Sequence, residues 1–420
     1  MFVRKEYSID DNNLNTNTIF QDGKKKYLKN PFNNLIKDEL KYHHNIRIYS
    51  QTQFNTFKIT NVDSDMKDKI QYSKGILKDT VICTRPIPSD AFNNDFIKFN
   101  IKIFGINLNN LEENLRMDLL MDEDITIENV INNTIKFEVK RCTLFQNTNL
   151  LFLEIGYNDL KYLLIYDLIN KVLMKDENNQ VVKLEHQKVL YFEHDIKKRI
   201  FGVIHNNVIR QYRLKSNQHN HMFLKDLSVQ VQIPNSEDIY TKDDMYVCVS
   251  ENDENEMIIF ESDLSIPIRM YSLKPEKNKI YNVAISSDKE MMVTTSKNGT
   301  SIKLFKKTNM NYTLFMMYKR GMNSALNYVI GFSNDDTLVY SLSYNRTLHL
   351  YGVEDANRSL HVIKLSSRIV DDACDIKIMR DTKGSVYFIY VLWKYNGIIE
   401  MYKFDKKLMK SKKISYVEMY

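Results

Sequence analysis

The sequence predicts an all-β protein, a single seven-bladed β-propeller that spans residues 1–420. Short strands that end in an aromatic residue recur along the chain, polar and apolar residues alternate within them, and a hairpin signal joins two of them. Seven such segments end at Tyr49, Tyr166, Tyr212, Tyr271, Phe305, Tyr351 and Tyr402. From Tyr166 onward their spacing is 46, 59, 34, 46 and 51 residues, close to the roughly 40–45 residues of a four-stranded blade.

The beginning of the chain follows this repeat less well. The interval between Tyr49 and Tyr166 is too long for one blade. The segment IKIF, which ends at Phe104, is an eighth candidate strand, one more than the seven expected blades need. An insertion would account for both observations. We therefore expect residues 60–133, approximately, to be a divergent or partly inserted region of the first blades.

The later strands have the clearest pattern. In 301–305 and 347–351 polar and apolar residues alternate at every position, as half-buried strands require. Asn298-Gly299 is a hairpin-turn signal because both residues tolerate a positive φ. A two-residue loop would place Lys303 opposite Thr294, whereas a three-residue loop would shift that register, and the sequence allows both.

Composition excludes several classes of protein. The formal net charge of +6 is far below that of a dedicated nucleic-acid binder. The four cysteines have no C-x-x-C spacing, so we expect buried free thiols in a reducing cytoplasm rather than disulfides or a zinc site. The N-terminus resembles no signal peptide, and no apolar run reaches the ~18–20 residues of a membrane-spanning helix. Any membrane contact is therefore expected to be peripheral.

Two adjacent cations, Lys319 and Arg320, lie within the most informative stretch, residues 291–349. Successive side chains of a strand point to opposite faces, so the two cations are placed to serve two ligands. The polar side chains that flank them are Thr294, Ser296, Thr300 and Lys303 on one side and Ser343, Thr347 and His349 on the other. A phosphate group binds where a cation and several N–H or O–H donors converge. The sequence therefore predicts two anion pockets side by side.

Three segments around these cations resemble the PROPPINs, the WIPI-like phosphoinositide-binding propellers of autophagy. YKRG, residues 318–321, is similar to the family's Phe-Arg-Arg-Gly. The upstream segment TTSKNGTSIKLF is similar to the family's Ser-x-Ser-x-x-Gly-Thr-x-Ile-Arg-x-Phe. The downstream segment SYNRTLHLY is similar to its Ser-x-x-x-Thr-Val-His-Ile-Phe. Carried over position by position, the resemblance implies a first pocket of Thr294, Ser296, Gly299, Thr300, Lys303 and Lys319. It implies a second pocket of Arg320, Gly321, Ser343, Thr347 and His349.

The chain departs from the family pattern in two places. Lys303 and Lys319 stand where the family has arginine, and lysine lacks the planar fork that grips two phosphate oxygens. We therefore expect the second pocket to bind more strongly and the first to be weaker or less selective. PROPPINs also carry a long membrane-inserting loop in blade six, whereas this chain has only residues 353–366, with Leu360, Val362 and Ile363 as candidate apolar groups.

The resemblance implies a function. It implies a peripheral membrane adaptor that binds phosphatidylinositol 3-phosphate and phosphatidylinositol 3,5-bisphosphate and recruits autophagy proteins to autophagic, endosomal or vacuolar membranes. If His349 contacts a phosphate, its charged form is stabilised and binding should strengthen in mild acid. The alternative is a cytoplasmic propeller that scaffolds protein complexes without a lipid ligand.

No motif supports an enzyme. The sequence has no Gly-x-Ser-x-Gly elbow, no phosphate-cradling Gly-x-x-x-x-Gly-Lys loop and no His-Glu-x-x-His helix. His219 and His221 lie in a polar segment without cysteine and are expected to be solvated rather than metal ligands. We expect no catalytic residue, metal or cofactor.

Overall fold

The computed structural model describes most of the chain from residue 79 onward and three short strands before it. The described residues are 18–21, 24–27, 51–55, 79–87, 95–106, 117–131, 137–144, 150–168, 170–176, 178–191, 200–216, 222–232, 239–242, 245–250, 253–261, 269–275, 278–309, 311–321, 325, 327–355, 357–365, 374–381, 384–393 and 398–418. The predicted strand end at Tyr49 and the histidines 219 and 221 lie outside them.

The chain divides into two compact units, Met1–Tyr49 and Ser50–Tyr420. In the first unit, β1 (Thr18–Gln21) and β2 (Lys24–Tyr27) form an antiparallel hairpin. The described residues of the second unit form seven antiparallel sheets. The predicted domain boundaries, one propeller over 1–420 with a divergent region near 60–133, stay a prediction.

Each of the seven sheets is built from strands that follow one another in the sequence. Sheet one contains β3 (Gln51–Asn55), β4 (Asp79–Pro86), β5 (Phe96–Ile106) and β6 (Met117–Glu128). Sheet two contains β7 (Glu138–Leu144), β8 (Leu150–Tyr157), β9 (Leu160–Asp167), β10 (Val172–Leu173) and β11 (Lys183–Glu185). Sheet three contains β12 (Lys188–Tyr191), β13 (Ile200–His205), β14 (Val208–Ser216) and β15 (Met222–Gln232).

The remaining sheets follow the same order. Sheet four contains β16 (Ile239–Lys242), β17 (Met245–Val249), β18 (Met257–Glu261) and β19 (Arg269–Leu273). Sheet five contains β20 (Ile280–Ile285), β21 (Met291–Ser296), β22 (Ser301–Thr308) and β23 (Asn311–Lys319). Sheet six contains β24 (Asn327–Phe332), β25 (Leu338–Ser343), β26 (Thr347–Gly352) and β27 (His361–Lys364). Sheet seven contains β28 (Cys374–Arg380), β29 (Val386–Trp393), β30 (Ile398–Asp405) and β31 (Lys410–Glu418).

Apolar side chains join each sheet to the next. One buried cluster lies between sheets one and two, and others lie between each later consecutive pair. Strand β29 of sheet seven contacts β3 of sheet one, which closes the ring. Radial closure of this kind leaves only short, protected sheet edges. The protein is the all-β propeller that the sequence predicts, and its seven sheets match the seven expected blades.

Within the described residues, the aromatic strand ends mark the third strand of every sheet except sheet four. Phe104 belongs to β5, the third strand of sheet one, so the eighth candidate is a regular blade strand. Tyr271 lies in β19, the fourth strand of sheet four, where the third strand is β18. The short motif ending in an aromatic residue does not distinguish a third strand from a fourth, because both pack one face against a neighbouring sheet.

In sheets five and six, hydrogen bonds of a serine and an aspartate stabilise the turn that precedes the second strand. The Ser286 hydroxyl donates to Asp288 at 2.5 Å and accepts from the Met291 backbone N–H at 2.8 Å. Ser333 makes the same pair of bonds with Asp335 and Leu338, at 2.6 and 3.0 Å. These turns set the start of β21 and β25, the strands that carry Thr294, Ser296 and Ser343 of the predicted pockets.

The cysteine prediction is confirmed for three of the four residues. Cys142, Cys248 and Cys374, all in the described part of the chain, are buried and form no disulfide. Burial raises the pKa of the Cys248 thiol to about 12, so it is neutral at ordinary pH. Within the described part of the chain, no helix is long and apolar enough to cross a bilayer.

Candidate anion pockets on sheets five and six

The hairpin between β21 and β22 fixes the first of the predicted segments. Its register pairs Thr294 with Lys303, the arrangement that a two-residue loop was expected to give. Gly299 has a φ of 60° and donates its N–H to the Ser296 carbonyl at 3.0 Å. A Cβ atom at Gly299 would lie 2.0 Å from the carbonyl oxygen of Ala325. Glycine is therefore required here by both the backbone conformation and the close approach of the next segment.

The Gly299 carbonyl holds Arg320 in place. It accepts hydrogen bonds from Nε of Arg320 and, at 3.1 Å, from the side-chain amide of Asn327. The backbone N–H of Arg320 also donates to the Thr300 carbonyl at 2.9 Å. The arginine that follows the end of β23 is thus fixed against the β21–β22 turn and against the start of sheet six.

Lys319 and Arg320 belong to opposite faces of sheet five. The Tyr318 ring packs on Tyr351 of sheet six with ring centroids 4.8 Å apart, and its hydroxyl donates to the Gly352 carbonyl at 2.9 Å. Side chains alternate along a strand, so Lys319 points away from sheet six and Arg320 points back toward it. Lys319 pairs with Ser301 in the register and is exposed, and among the described residues its ammonium has no hydrogen-bond or ion-pair partner.

The second pocket lies in the cleft between sheets five and six. His349 stacks on Tyr351 with ring centroids 6.2 Å apart, on the side of sheet six that faces Arg320. The hydroxyls of Ser343 and Thr347 are 2.9 Å apart and hydrogen-bonded, and Thr347 shares its face with His349. The structure thereby brings Arg320, Ser343, Thr347 and His349 to one cleft.

Electrostatics in this cleft favour an anion. Burial, and then the charge of Arg320, lower the pKa of His349 to about 4, so its imidazole is neutral at pH 7. Burial also lowers the pKa of Arg320, which nonetheless keeps its charge. Among the described residues, neither Nδ1 of His349 nor the Tyr351 hydroxyl has a hydrogen-bond partner, although both atoms are buried. Buried polar atoms without partners beside a cation are costly unless a ligand satisfies them.

The first pocket lies on the other face of sheet five, toward sheet four. Thr294 and Ser296 are buried, whereas Thr300 and Lys303 are half-buried. The Lys303 ammonium donates to the carbonyl of Pro275, in the segment that follows sheet four. This bond directs part of the lysine's hydrogen-bonding capacity to the backbone, which agrees with the weaker binding expected of this pocket.

Gly321 is exposed, and a Cβ atom there would meet nothing within 4 Å. Its φ lies outside the left-handed region, so no steric reason requires glycine at this position. The two glycines of the predicted site thus differ: Gly299 is structurally necessary, and Gly321 is not.

The connection between β26 and β27 is short, and two of its three candidate apolar groups are not available to a bilayer. Ile363 is 4% exposed within the core between sheets six and seven, and Leu360 packs against the same core. Only Val362, at 42%, is exposed. Leu360 and Ile363 therefore belong to the core rather than to a membrane-inserting loop, because β27 begins at His361 and turns Ile363 inward.

Sequence reasoning missed Asn327, the residue that connects the two segments. Asn327 is fully buried; its amide donates to Gly299, and its side-chain oxygen accepts from the Ser341 hydroxyl at 2.9 Å. Ser341 in turn is the cross-strand partner of His349. A lone asparagine at the start of a strand matches no motif, and only the positions of its partners reveal its role.

Comparisons with known proteins give a short sequence match and a broad structural one. No protein-family model matches the chain. SVP1-like protein 2 of Debaryomyces hansenii is 31% identical over 87 residues, which cover 21% of this chain and 20% of that protein. The matched stretch thus spans only a fifth of that relative's length.

Solved structures match most of the chain. Hsv2 of Kluyveromyces lactis superposes with a TM-score of 0.56 at 13% identity, and Hsv2 of Kluyveromyces marxianus with 0.55 at 16%, each covering 78% of this chain and 99% of the other. Hsv2 is a PROPPIN. The chain has the PROPPIN fold. KlAtg21, in complex with the coiled coil of AgAtg16, has the same fold. It superposes with a TM-score of 0.50 at 15% identity, and the match covers 80% of this chain and 98% of KlAtg21. Within this fold the residues of the two predicted pockets lie on the two faces of sheet five and the adjoining face of sheet six.

Proposed function

We propose that this protein is a peripheral membrane adaptor that binds phosphatidylinositol 3-phosphate and phosphatidylinositol 3,5-bisphosphate through the two pockets and recruits autophagy proteins to the membranes that carry these lipids. The observation that carries the proposal is the cleft between sheets five and six. There, Arg320 is anchored by the Gly299 carbonyl, and its charge acts on His349, whose Nδ1 has no partner among the described residues. The PROPPIN fold supports the same function.

A phosphate monoester fits the donors of the second pocket. The guanidinium of Arg320 supplies charge, and the hydroxyls of Ser343 and Thr347, which now bond to each other, can rotate to donate to phosphate oxygens. A phosphate beside His349 would favour the imidazolium and raise its pKa from about 4. Binding would then take up a proton and strengthen as the pH falls toward 4, a lower range than the sequence alone suggested.

Two pockets on one rigid propeller would act together. Each headgroup contact can be weak, because a second contact on the same membrane is intramolecular and gains from effective concentration, by factors of about 10²–10⁴. Vesicles should therefore bind much more tightly than soluble headgroups. The first pocket, with lysines at 303 and 319, would contribute less than the second.

The protein partner would come from the autophagy machinery and act in the cytoplasm. KlAtg21 was solved with a coiled coil of AgAtg16, so a coiled coil is the class of partner we propose for a surface of this propeller. No cofactor or metal enters the proposal.

The runner-up is a cytoplasmic scaffold without a lipid ligand. The bond from Lys303 to Pro275 and the short connection between β26 and β27 favour it, since each weakens one of the two membrane contacts that the family resemblance implies.

Flotation with phosphatidylcholine liposomes that contain each phosphoinositide in turn tests the proposal. Arg320→Ala combined with His349→Ala should abolish flotation, whereas Lys319→Ala should only weaken it. Arg141→Ala, which removes a half-exposed cation from sheet two, is the matched control and should float like the wild type. Absence of wild-type binding to every phosphoinositide at low salt would favour the scaffold.

A further inference from the structure

The outer strand of sheet five carries an exposed apolar surface. Leu314, Phe315 and Met317 of β23 are 56%, 46% and 43% exposed, on a strand in which Tyr312 and Tyr318 are buried and Met316 is partly buried. We name these three side chains the β23 patch. The pockets do not use them, and three exposed large apolar residues within four positions on an edge strand call for a partner.

The segment that contains the patch is rich in cations. Residues 291–334 contain six lysine and arginine residues and no aspartate or glutamate, in a chain whose whole net charge is +6. The Lys306 ammonium lies 3.9 Å from the centroid of the Phe315 ring. Apolar side chains interleaved with cations, with no acid between them, are typical of surfaces that lie in the headgroup region of an anionic bilayer.

The register joins the patch to the first pocket. Met317 lies opposite Lys303, and Lys319 lies opposite Ser301, so these side chains share one face of the sheet. Phe315 has no cross-strand partner, because Phe305 pairs with Leu314 and Leu304 with Met316, and it forms the extra residue of a β-bulge. A headgroup held at Lys319 would therefore bring the membrane close to Met317 on the same face.

We propose that the β23 patch is a membrane-contact surface that lies in the headgroup region of an anionic bilayer while the pockets hold phosphoinositides. This inference rests on the proposed function and deepens it. It assigns to β23 the apolar contact that the connection between β26 and β27 is too short and too buried to supply. A protein strand that pairs with the β23 edge is the competing occupant. The absence of acids from residues 291–334 favours the bilayer, whose surface charge is uniformly negative.

A serine triple variant, Leu314→Ser/Phe315→Ser/Met317→Ser, separates the patch from the pockets. Its control replaces an exposed apolar set of sheet two, Tyr157, Leu160 and Val172, with serine. Binding of soluble short-chain phosphatidylinositol 3-phosphate, measured by calorimetry, reports on the pockets. Partitioning onto vesicles of phosphatidylcholine with phosphatidylserine, with and without phosphatidylinositol 3-phosphate, reports on the patch.

The patch variant should bind the soluble lipid as the wild type does, yet partition about tenfold or more weakly onto both kinds of vesicle, since three partly buried apolar side chains are lost. The sheet-two control should match the wild type in both assays. Equal partitioning of patch variant and wild type would overturn the proposal. Failure of the proposed function would look different. The wild type would then not bind the soluble lipid, but it would still partition onto phosphatidylserine vesicles more strongly than the patch variant does.

Fluorescence gives a second readout that does not depend on the folding of the serine variant. The single tryptophan, Trp393, is 6% exposed in sheet seven. A Phe315→Trp variant bound to vesicles of brominated phospholipid should be quenched, whereas wild type and Val172→Trp should not. Bound protein whose Phe315→Trp fluorescence is unchanged would show that the patch faces away from the bilayer, and a protein partner would then replace the membrane as its occupant.

Discussion

Replacing Gly299 with alanine should destabilise the protein and damage both pockets. The left-handed backbone at φ 60° costs a residue with a Cβ about 1–2 kcal/mol. The new Cβ would lie 2.0 Å from the Ala325 carbonyl oxygen, so the turn or the Ala325 segment must move. The Gly299 carbonyl would then lose its bonds from Arg320 and Asn327, worth about 2–4 kcal/mol together. We expect a total loss of about 3 kcal/mol or more.

Gly321→Ala provides the matched control, because that glycine belongs to the same predicted site and has open space around it. Chemical denaturation of the two variants and the wild type under identical conditions gives the comparison. Gly299→Ala should unfold at clearly lower denaturant and lose vesicle binding, and Gly321→Ala should stay within about 0.5 kcal/mol of the wild type. Two glycine variants with the same stability would refute the reasoning.

Three further predictions concern charge. Lys319→Arg should strengthen vesicle binding, because a guanidinium can bond two phosphate oxygens; a vesicle titration in which it binds no better than wild type would contradict this ranking of the pockets. Burial lowers the pKa of both His349 and His186 from 6.5 to about 4. Between pH 6.5 and pH 4 the unfolded chain therefore binds more protons than the folded chain. The free energy of unfolding should fall as the pH drops through this range, by up to about 3 kcal/mol for each histidine. Denaturation of His186→Phe at pH 7 and pH 4.5 should show a smaller pH dependence than wild type, and an unchanged dependence would exclude that residue as a cause. Affinity for soluble phosphatidylinositol 3-phosphate should rise between pH 7 and pH 5 in wild type but not in His349→Gln, and parallel curves would show that His349 does not contact phosphate.

The propeller and the two segments of the site are predictable from short-range patterns. Alternation in 301–305 identified a strand correctly, because β22 is half-buried. The same patterns placed Tyr271 in a strand but could not show that it is a fourth strand, because an aromatic residue at a strand end is favoured on any sheet face that packs on a neighbour. They also could not assign Phe104 to a regular strand, since the long connections before it hide the period of the blade.

The interactions inside the site could not be predicted from the sequence. The role of Asn327 depends on the Gly299 carbonyl and the Ser341 hydroxyl, which come from two different sheets. The pKa of His349 depends on burial between sheets five and six, which no local pattern encodes. Gly321 matched the family motif, yet its surroundings impose no steric need for glycine. These properties depend on contacts between different blades, which form only when the whole propeller has folded.

The number of soluble headgroups that one chain binds tests the central claim most directly. Calorimetric titration of the wild type with short-chain phosphatidylinositol 3-phosphate should give two sites, one on each face of sheet five. Arg320→Ala/His349→Ala should retain one weak site. A wild type that binds no headgroup, or a double variant that still binds two, would contradict the account of two pockets flanking Lys319 and Arg320.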